Sequence, residues 1–273
     1  VRGRPLLPRA VRRPHTGRVA PDLPPVPDRP SPRAPRTTTA DEGRAAPLHR
    51  LAAHRQRSGS SAVDLSEPPT PPALRRLAPE LGLHTADLFV IAGVDVPGDL
   101  APVDPSAGRH NPRLVRAVLV LPPRQRTVLR RYAAALPQQE RPAPAPGPPA
   151  HERYPDGPGA LLMRLVRNRN LGWTATAMTF LLLTGRYWSA ATYGRVARGT
   201  VPLTAELLAD FCAVLDVPAD DLAAVTGVAL PGPDTSPTAN AGTAGVAELI
   251  WDVRRLTESR LRAVTDLAEA MRR

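Results

Sequence analysis

The sequence predicts an all-α protein, and three observations carry that prediction. From Ala73 onward, apolar residues recur at helical spacing, as in Leu74, Leu77 and Leu81, and Gly, Pro, Ser or Thr stands where helices would end or begin. Two such stretches, 74–97 and 113–136, recur later in the chain with the same apolar period and the same interruptions. The segment Ala160–Gly227 reads as four or five short helices in succession, separated by Gly, Thr and Pro.

At 273 residues the chain is long enough for two ordinary domains, but 35 prolines mark much of it as other than packed core. All 36 basic residues are arginine, which fits a GC-rich coding sequence more simply than it argues for nucleic-acid binding. The net charge of +11 is uneven: residues 1–60 hold 13 arginines against 4 acids, whereas 61–273 hold 23 against 21. Only local clustering of charge can therefore point to a polyanionic partner. The single cysteine, Cys212, excludes an intramolecular disulfide and suits a reducing compartment. No apolar run approaches the roughly 18 residues of a membrane helix, and the basic start lacks the apolar core of a signal peptide. A cytoplasmic protein without a membrane partner is expected.

Taken in order, residues 1–44 are rich in proline and arginine and bury too little to offset chain entropy, so a disordered tail is expected. It reads either as a basic arm that tracks phosphate or as a solvated tail. Pro47–Arg57 can form one short helix, and 58–72 is a linker. Ala73–Gly93 holds two helical segments broken at Gly82, a helix-ending residue, with His84 or Thr85 opening the second. Asn111–Leu121 and Pro123–Leu136 follow, the latter with proline in its first turn. The proline-rich stretch Pro137–Ala150 is the clearest boundary in the chain.

The repeat is specific. Aligning 74–97 with 208–231 gives seven identities: Leu74/Leu208, Leu81/Leu215, Asp87/Asp221, Leu88/Leu222, Gly93/Gly227, Val94/Val228 and Pro97/Pro231. Shifting the offset by one places 113–136 under 248–271, matching Leu114/Leu249, Val118/Val253 and Leu121/Leu256, with Pro122 opposite Thr257. The chain reads as a tandem duplication whose first copy is degenerate. The counterpart of 160–205 would fall near 26–71, where proline, arginine and serine dominate, so only the C-terminal helices of copy one are expected to survive. The implied organisation is a tail (1–44), a degenerate first repeat (45–136), a linker (137–158), a second helical domain (159–229), a linker (230–245) and a C-terminal helical pair (246–273).

Within the second copy, Leu161, Leu162, Leu165 and Val166 form one apolar face of a first helix. Asn170–Trp173 makes a turn, Thr174 is the expected N-cap of a second helix through Leu183, and Thr184-Gly185 ends it. Tyr187 and Trp188, bulky and next to a turn, read as core anchors rather than base-stacking platforms. Ser189 caps a third helix that ends at Gly199. Leu203–Leu215 is a fourth, capped by Thr204, with Leu207, Leu208, Phe211, Val214 and Leu215 inward and Cys212 a small buried side chain. Pro218–Val225 is a fifth, with Asp220 and Asp221 suited to its positive N-terminus. No acid stands between Asp156 and Glu206, while six arginines do: Arg164, Arg167, Arg169, Arg186, Arg195 and Arg198.

These features resemble the lambda-repressor-like helix-turn-helix domain of XRE-type regulators, over about 70 residues of copy two and about 20 of copy one. The resemblance rests on Arg195-x-x-Arg198-Gly199, then Pro202-x-Thr204-x-x-Leu207-Leu208, then Leu215-Asp216-Val217-Pro218-x-x-Asp221-Leu222. It implies an all-α helix-turn-helix bundle with additional C-terminal helices and a partial first copy. It implies that the helix Ser189–Arg198 enters the major groove of double-stranded DNA. Ser189, Thr192 and Tyr193 would then read bases, while Arg164, Arg167, Arg169, Arg186, Arg195 and Arg198 hold phosphates. Here the chain departs from the family in three ways. The 171–199 region is several residues longer, TATA replaces the usual glutamine near the start of the second helix, and Ser189–Gly199 holds no Asn, Gln or Lys. Bidentate base readout would fall to arginine alone.

Val246–Leu256 and Glu258–Arg272 are amphipathic, and read equally as a homodimer contact or as packing on 111–136 of the same chain. The six histidines form no ligand or catalytic pattern, and no phosphate-cradling loop or paired-cysteine metal site is present in the sequence. No catalysis, cofactor, metal or small-molecule ligand is expected. The sequence therefore points to a non-enzymatic transcriptional regulator. The alternative is a helical protein-interaction module built on the same scaffold.

Overall fold

Helix boundaries follow the chain's own start and stop residues. The computed structural model describes residues 40–59, 69–137, 149–230, 243 and 245–272, and these form twelve α-helices with no strand among them. They are α1 (Ala40–Arg57), α2 (Pro71–Glu80), α3 (Thr85–Ile91), α4 (Asn111–Leu119), α5 (Pro123–Ala135), α6 (Pro158–Asn168), α7 (Trp173–Thr184), α8 (Ala190–Ala197), α9 (Ala205–Leu215), α10 (Ala219–Thr226), α11 (Val246–Val253) and α12 (Glu258–Ala270). Short 3-10 turns occupy Ala107–His110 and Ala150–Glu152. The fold is all-α.

Local chemistry accounts for several of the ends. Thr70, Ser189 and Thr204 accept the backbone N–H of the residue three further on, capping α2, α8 and α9. Gly185 and Gly227, at φ +72° and +73°, close α7 and α10 in the left-handed conformation that glycine adopts without steric cost. Several boundaries differ from expectation by a few residues, and two of the differences concern α1 and α7. Helix α1 begins at Ala40 and runs through Pro47, so the end of the expected tail is helical. Gly172, not Thr174, is the N-cap of α7, and Thr174 lies in its first turn. The rest of the arginine-rich tail and the greater part of the three linkers lie outside the described residues.

The segments expected as separate domains belong to one compact unit, Thr38–Arg273. Their packing is reciprocal: α3 lies on α6 and α10 on α1, while α4 lies on α12 and α11 on α5. The apolar faces of the C-terminal pair are thus covered within the chain, with Leu249, Ile250, Val253, Leu256, Leu261 and Val264 all buried. Helix α7 is wedged between α4 on one side and α8 and α9 on the other. Its all-round apolar character follows from that position.

Two charged clusters pin these contacts. Arg169, 1% exposed, donates to Asp87 Oδ1 at 2.6 Å and to the Leu165 and Leu215 carbonyls, and Asn168 donates to the same Asp87 oxygen at 2.9 Å. On the other side Arg55 donates to Asp221 Oδ2 at 2.5 Å and to the Leu81 carbonyl at 3.1 Å, with His54 3.9 Å from Asp221. Asp221 is therefore an ion-pair partner as well as a first-turn acid. Beside the first cluster the His84 ring stacks on Trp251 at 3.6 Å, and Arg254 covers Trp251 at 3.8 Å from the ring centre. Arg254 also donates to the Leu100 carbonyl at 2.6 Å.

Removing one member of a buried pair strands the other's charge. Arg169→Met should therefore lower unfolding free energy by about 3–5 kcal/mol, read as a fall in the urea midpoint. Arg55→Met, whose side chain is 20% exposed, should cost less, about 1–3 kcal/mol. Burial holds the His84 imidazole neutral, lowering its pKa from 6.5 to about 4. The unfolded chain then takes up a proton that the folded chain refuses. Stability is unaffected by this group above about pH 6.5 and falls as pH drops from there to about 4. Urea midpoints at pH 7 and 4.5 should converge in His84→Phe, which keeps the stack but cannot titrate.

Candidate nucleic-acid interface

Helix α8 reaches the surface because its N-terminus is fixed by the turn 185–189 and its inner face is anchored by aromatic residues. Ser189 Oγ accepts the Thr192 N–H at 3.2 Å and lies 2.9 Å from Thr192 Oγ1. Tyr193 points inward to an edge-to-face cluster with Phe180 and Phe211, at 4.9 and 6.0 Å between ring centres. Val196 and Ala197 are buried with it. The outer face is left to Ala191, Arg195 and Arg198, with Ser189 and Thr192 half-buried at its edge.

Helix α8 crosses α6 at glycine. A Cβ on Gly159 would stand 2.1 Å from the Val196 carbonyl oxygen, so only glycine permits that approach. Gly194, inside α8, faces the Trp173 ring, where a Cβ would sit 3.3 Å from the nearest ring carbon.

The structure redistributes the residues that sequence reasoning grouped together. Tyr193, offered as a base reader, is 1% exposed, and burial raises its hydroxyl pKa well above the normal value. It cannot reach DNA. Arg169, offered as a phosphate ligand, is the buried partner of Asp87 and is equally out of reach. Arg186 donates to Asp210 at 2.5 Å, and Trp188 Nε1 donates to the other oxygen of that buried carboxylate at 3.1 Å. Arg186 thus neutralises Asp210 and ties the turn to α9. Tyr187 is 63% exposed beside that turn, not a core anchor. Cys212 is half-buried, and its thiol is pushed up to about 12 by burial, which keeps it protonated.

Three of the remaining arginines, Arg164, Arg167 and Arg198, meet a short strap, residues 150–156. Arg164 donates to Asp156 at 2.7 Å and Arg167 to Glu152 at 3.1 Å. Arg198 donates to the His151 carbonyl at 3.2 Å and lies over the rings of Tyr154 and Trp173, which share a hydrogen bond of 3.2 Å. The 157–205 stretch is acid-free in sequence, but Glu152, Asp156, Asp87 and Asp210 come to it in space. The guanidinium of Arg195 makes no hydrogen bond or ion pair with the described residues.

These pairings are not equal. Asp87 and Asp210 are at most 1% exposed, so their arginines are structural. The Arg164 and Arg167 side chains are 41% and 38% exposed, and surface pairs of that kind contribute only about 0–1 kcal/mol. A phosphate can displace those carboxylates. Among the described residues no group of His, Cys, Asp and Glu is placed to hold a metal, and no helix is long and apolar enough to cross a membrane. Comparison of the chain with protein-family models, curated proteins and solved structures finds no match.

The two glycines make a paired prediction. Gly159→Ala must push α6 and α8 apart and should lower stability by about 1–3 kcal/mol. Gly194→Ala meets only side chains and gains about 1 kcal/mol of helix propensity, so its melting temperature should stay near or above that of the parent.

Proposed function

We propose that the chain is a non-enzymatic, sequence-selective DNA-binding regulator of the cytoplasm, and that α8 is its reading element. The observation that carries this is the outer stripe of α8, Ala191–Arg195–Arg198, whose central guanidinium is unpaired among the described residues, with Arg164 and Arg167 on the neighbouring α6 in surface pairs. The α7–turn–α8 arrangement and the capped N-terminus of α8 support the helix-turn-helix resemblance. With Tyr193 turned inward, base recognition falls to Arg195, which can donate both N–H groups to a guanine edge. Thr192 and Ala191 offer small contacts next to it. Arg164, Arg167 and Arg198 are the phosphate ligands in this reading, and Tyr187 adds a ring and hydroxyl near the entry to α8.

A second reading, a helical protein-interaction module, is favoured by one specific observation. Arg169 and Arg186 hold buried acids, so the arginine cluster serves the fold as well as the surface.

Fluorescence anisotropy of the full chain against duplex DNA, titrated with salt, separates the two. Saturable binding that weakens steeply with salt, and is reduced at least tenfold in Arg195→Ala, is the expected result. The salt slope should flatten by about 0.9 for each phosphate contact removed. The double variant Glu152→Gln/Asp156→Asn frees Arg164 and Arg167 and should bind more tightly than the parent, most visibly at low salt. A folded chain that binds no duplex at low salt, with or without those two substitutions, would leave the interaction module as the reading.

A further inference from the structure

The reciprocal packing carries a consequence for how DNA would be met. Helix boundaries repeat along the chain: α2 and α9 begin at Pro71 and Ala205, α3 and α10 at Thr85 and Ala219, α4 and α11 at Asn111 and Val246, α5 and α12 at Pro123 and Glu258. The offset is 134 for the first two pairs and 135 for the last two. Helix α1 joins this pattern as the counterpart of α6, at a shorter offset of 114 that the linear alignment does not reveal. At that offset Leu48, Arg50, Leu51 and Arg55 stand opposite Leu162, Arg164, Leu165 and Arg169.

The contacts establish the equivalence independently of the alignment. Arg169 binds Asp87 and the Leu215 carbonyl, and Arg55 binds Asp221 and the Leu81 carbonyl. Asp87 and Asp221 are counterparts, and so are Leu81 and Leu215. Each copy's first helix therefore reaches across to the other copy's aspartate, and closes on its own copy's leucine carbonyl. Two faces that contact each other by such exchanged pairs are isologous, the relation found between the subunits of a two-fold dimer.

Charges make the pairing of unlike copies the favoured one. Arg113 in α4 and Glu248 in α11 occupy equivalent positions with opposite sign. Arg113 pairs with Glu269 at 2.7 Å and Asp266 at 3.2 Å, and Glu248 pairs with Arg130. Copy one against copy one would set Arg113 against Arg131 and Ala134, the counterparts of Asp266 and Glu269. Copy two against copy two would set Glu248 against Thr265, the counterpart of Arg130, next to Asp266.

The copies differ in one further respect. Between α6 and α9 stand 36 residues that include α7 and α8, whereas between α1 and α2 there are 13. A stretch of 13 residues cannot contain the 25 residues that α7, the turn and α8 occupy.

We infer that the chain is a covalently joined pseudo-dimer in which copy one fills the place of a second subunit but carries no reading helix. One chain then engages one non-palindromic DNA site. The DNA part of this inference rests on the reading of α8 given above. A two-fold helix-turn-helix dimer places two reading helices about 34 Å apart on an inverted repeat, and this chain occupies its own two-fold face with a copy that lacks one.

The test uses the full chain. Sedimentation velocity should give a monomer of 29.2 kDa at every concentration. A protease site introduced into residues 138–148 and cut after folding should leave the two fragments sedimenting as one particle. The charge-reversed Arg113→Glu should loosen the cut chain, and Arg113→Glu/Glu269→Arg should restore it. Selection from a random duplex library should then enrich one unrepeated motif, bound by a single chain. A dimer in free solution, or fragments that separate on cutting, would overturn the pseudo-dimer. An inverted repeat bound by two chains would overturn the single-site claim. A monomer that stays joined on cutting but enriches no motif would sink the DNA reading and the single site together, while the pseudo-dimer stands on the first two measurements.

Discussion

The buried ion pair between Arg169 and Asp87 is the constraint on which the rest of the structure depends. Its two residues come from either side of the proline-rich spacer, and both are 1% exposed. A charge taken that far from water is tolerated only when nearly every polar atom finds a partner. Arg169 meets that demand with Asp87 Oδ1 and two carbonyls, and Asn168 donates to the same oxygen, while Asp87 Oδ2 has no hydrogen-bond partner among the described residues. An apolar contact would permit α3 and α6 to slide against each other. This network fixes their register, and with it the platform on which α8 is carried.

The aromatic layer beneath α8 depends on that platform. Phe180 from α7, Tyr193 from α8 and Phe211 from α9 meet edge to face, so three helices share one apolar contact. Placing Tyr193 there removes a bulky polar side chain from the outer surface and leaves the stripe of Ala191, Arg195 and Arg198. The same choice that stabilises the α7–α8–α9 packing limits what the outer face of α8 could recognise in the reading proposed above. Arginine is the one long hydrogen-bonding side chain left on that stripe, and a guanidinium favours guanine among the base edges.

Much of the fold was legible in the sequence, because helix period and capping are local properties. Ser189 and Thr204 were recognisable as caps, and Gly185 as a stop, from their immediate neighbours. The repeat was legible from Leu81/Leu215 and Asp87/Asp221. What escaped was any relation set by long-range contact. The equivalence of α1 and α6 is hidden because the segment following α1 is shorter, which changes the offset. Tyr193 read as a surface residue because a short helix with several small side chains does not reveal which face is inward. The shared aspartate Asp87/Asp221 was the available signal for the charged clusters, since an acid retained at matched positions among buried leucines needs a cation.

The arginine cluster illustrates why charge along a sequence is a weak guide to charge on a surface. Six arginines without an acid among them suggest a strongly cationic face, yet four of them receive carboxylates from 87, 152, 156 and 210. Of the six, those left without a carboxylate among the described residues are Arg195 and the stacked Arg198. A surface of this kind exerts little non-specific pull on a polyanion until the strap acids are displaced. Displacement costs least where both partners are exposed, at Arg164 and Asp156, and most where the acid is buried, at Arg169 and Arg186. In the DNA-binding reading proposed above, the polyanion that fits this surface best has phosphates placed to meet Arg164 and Arg167 while a base edge meets Arg195. A duplex of arbitrary sequence gains the phosphate contacts without the base contact, and has less with which to offset the loss of Glu152 and Asp156. In that reading, the cost of displacing Glu152 and Asp156 is the same for every duplex that takes up those phosphate contacts, so neutralisation lowers affinity for all DNA alike and leaves discrimination to the base contact at Arg195.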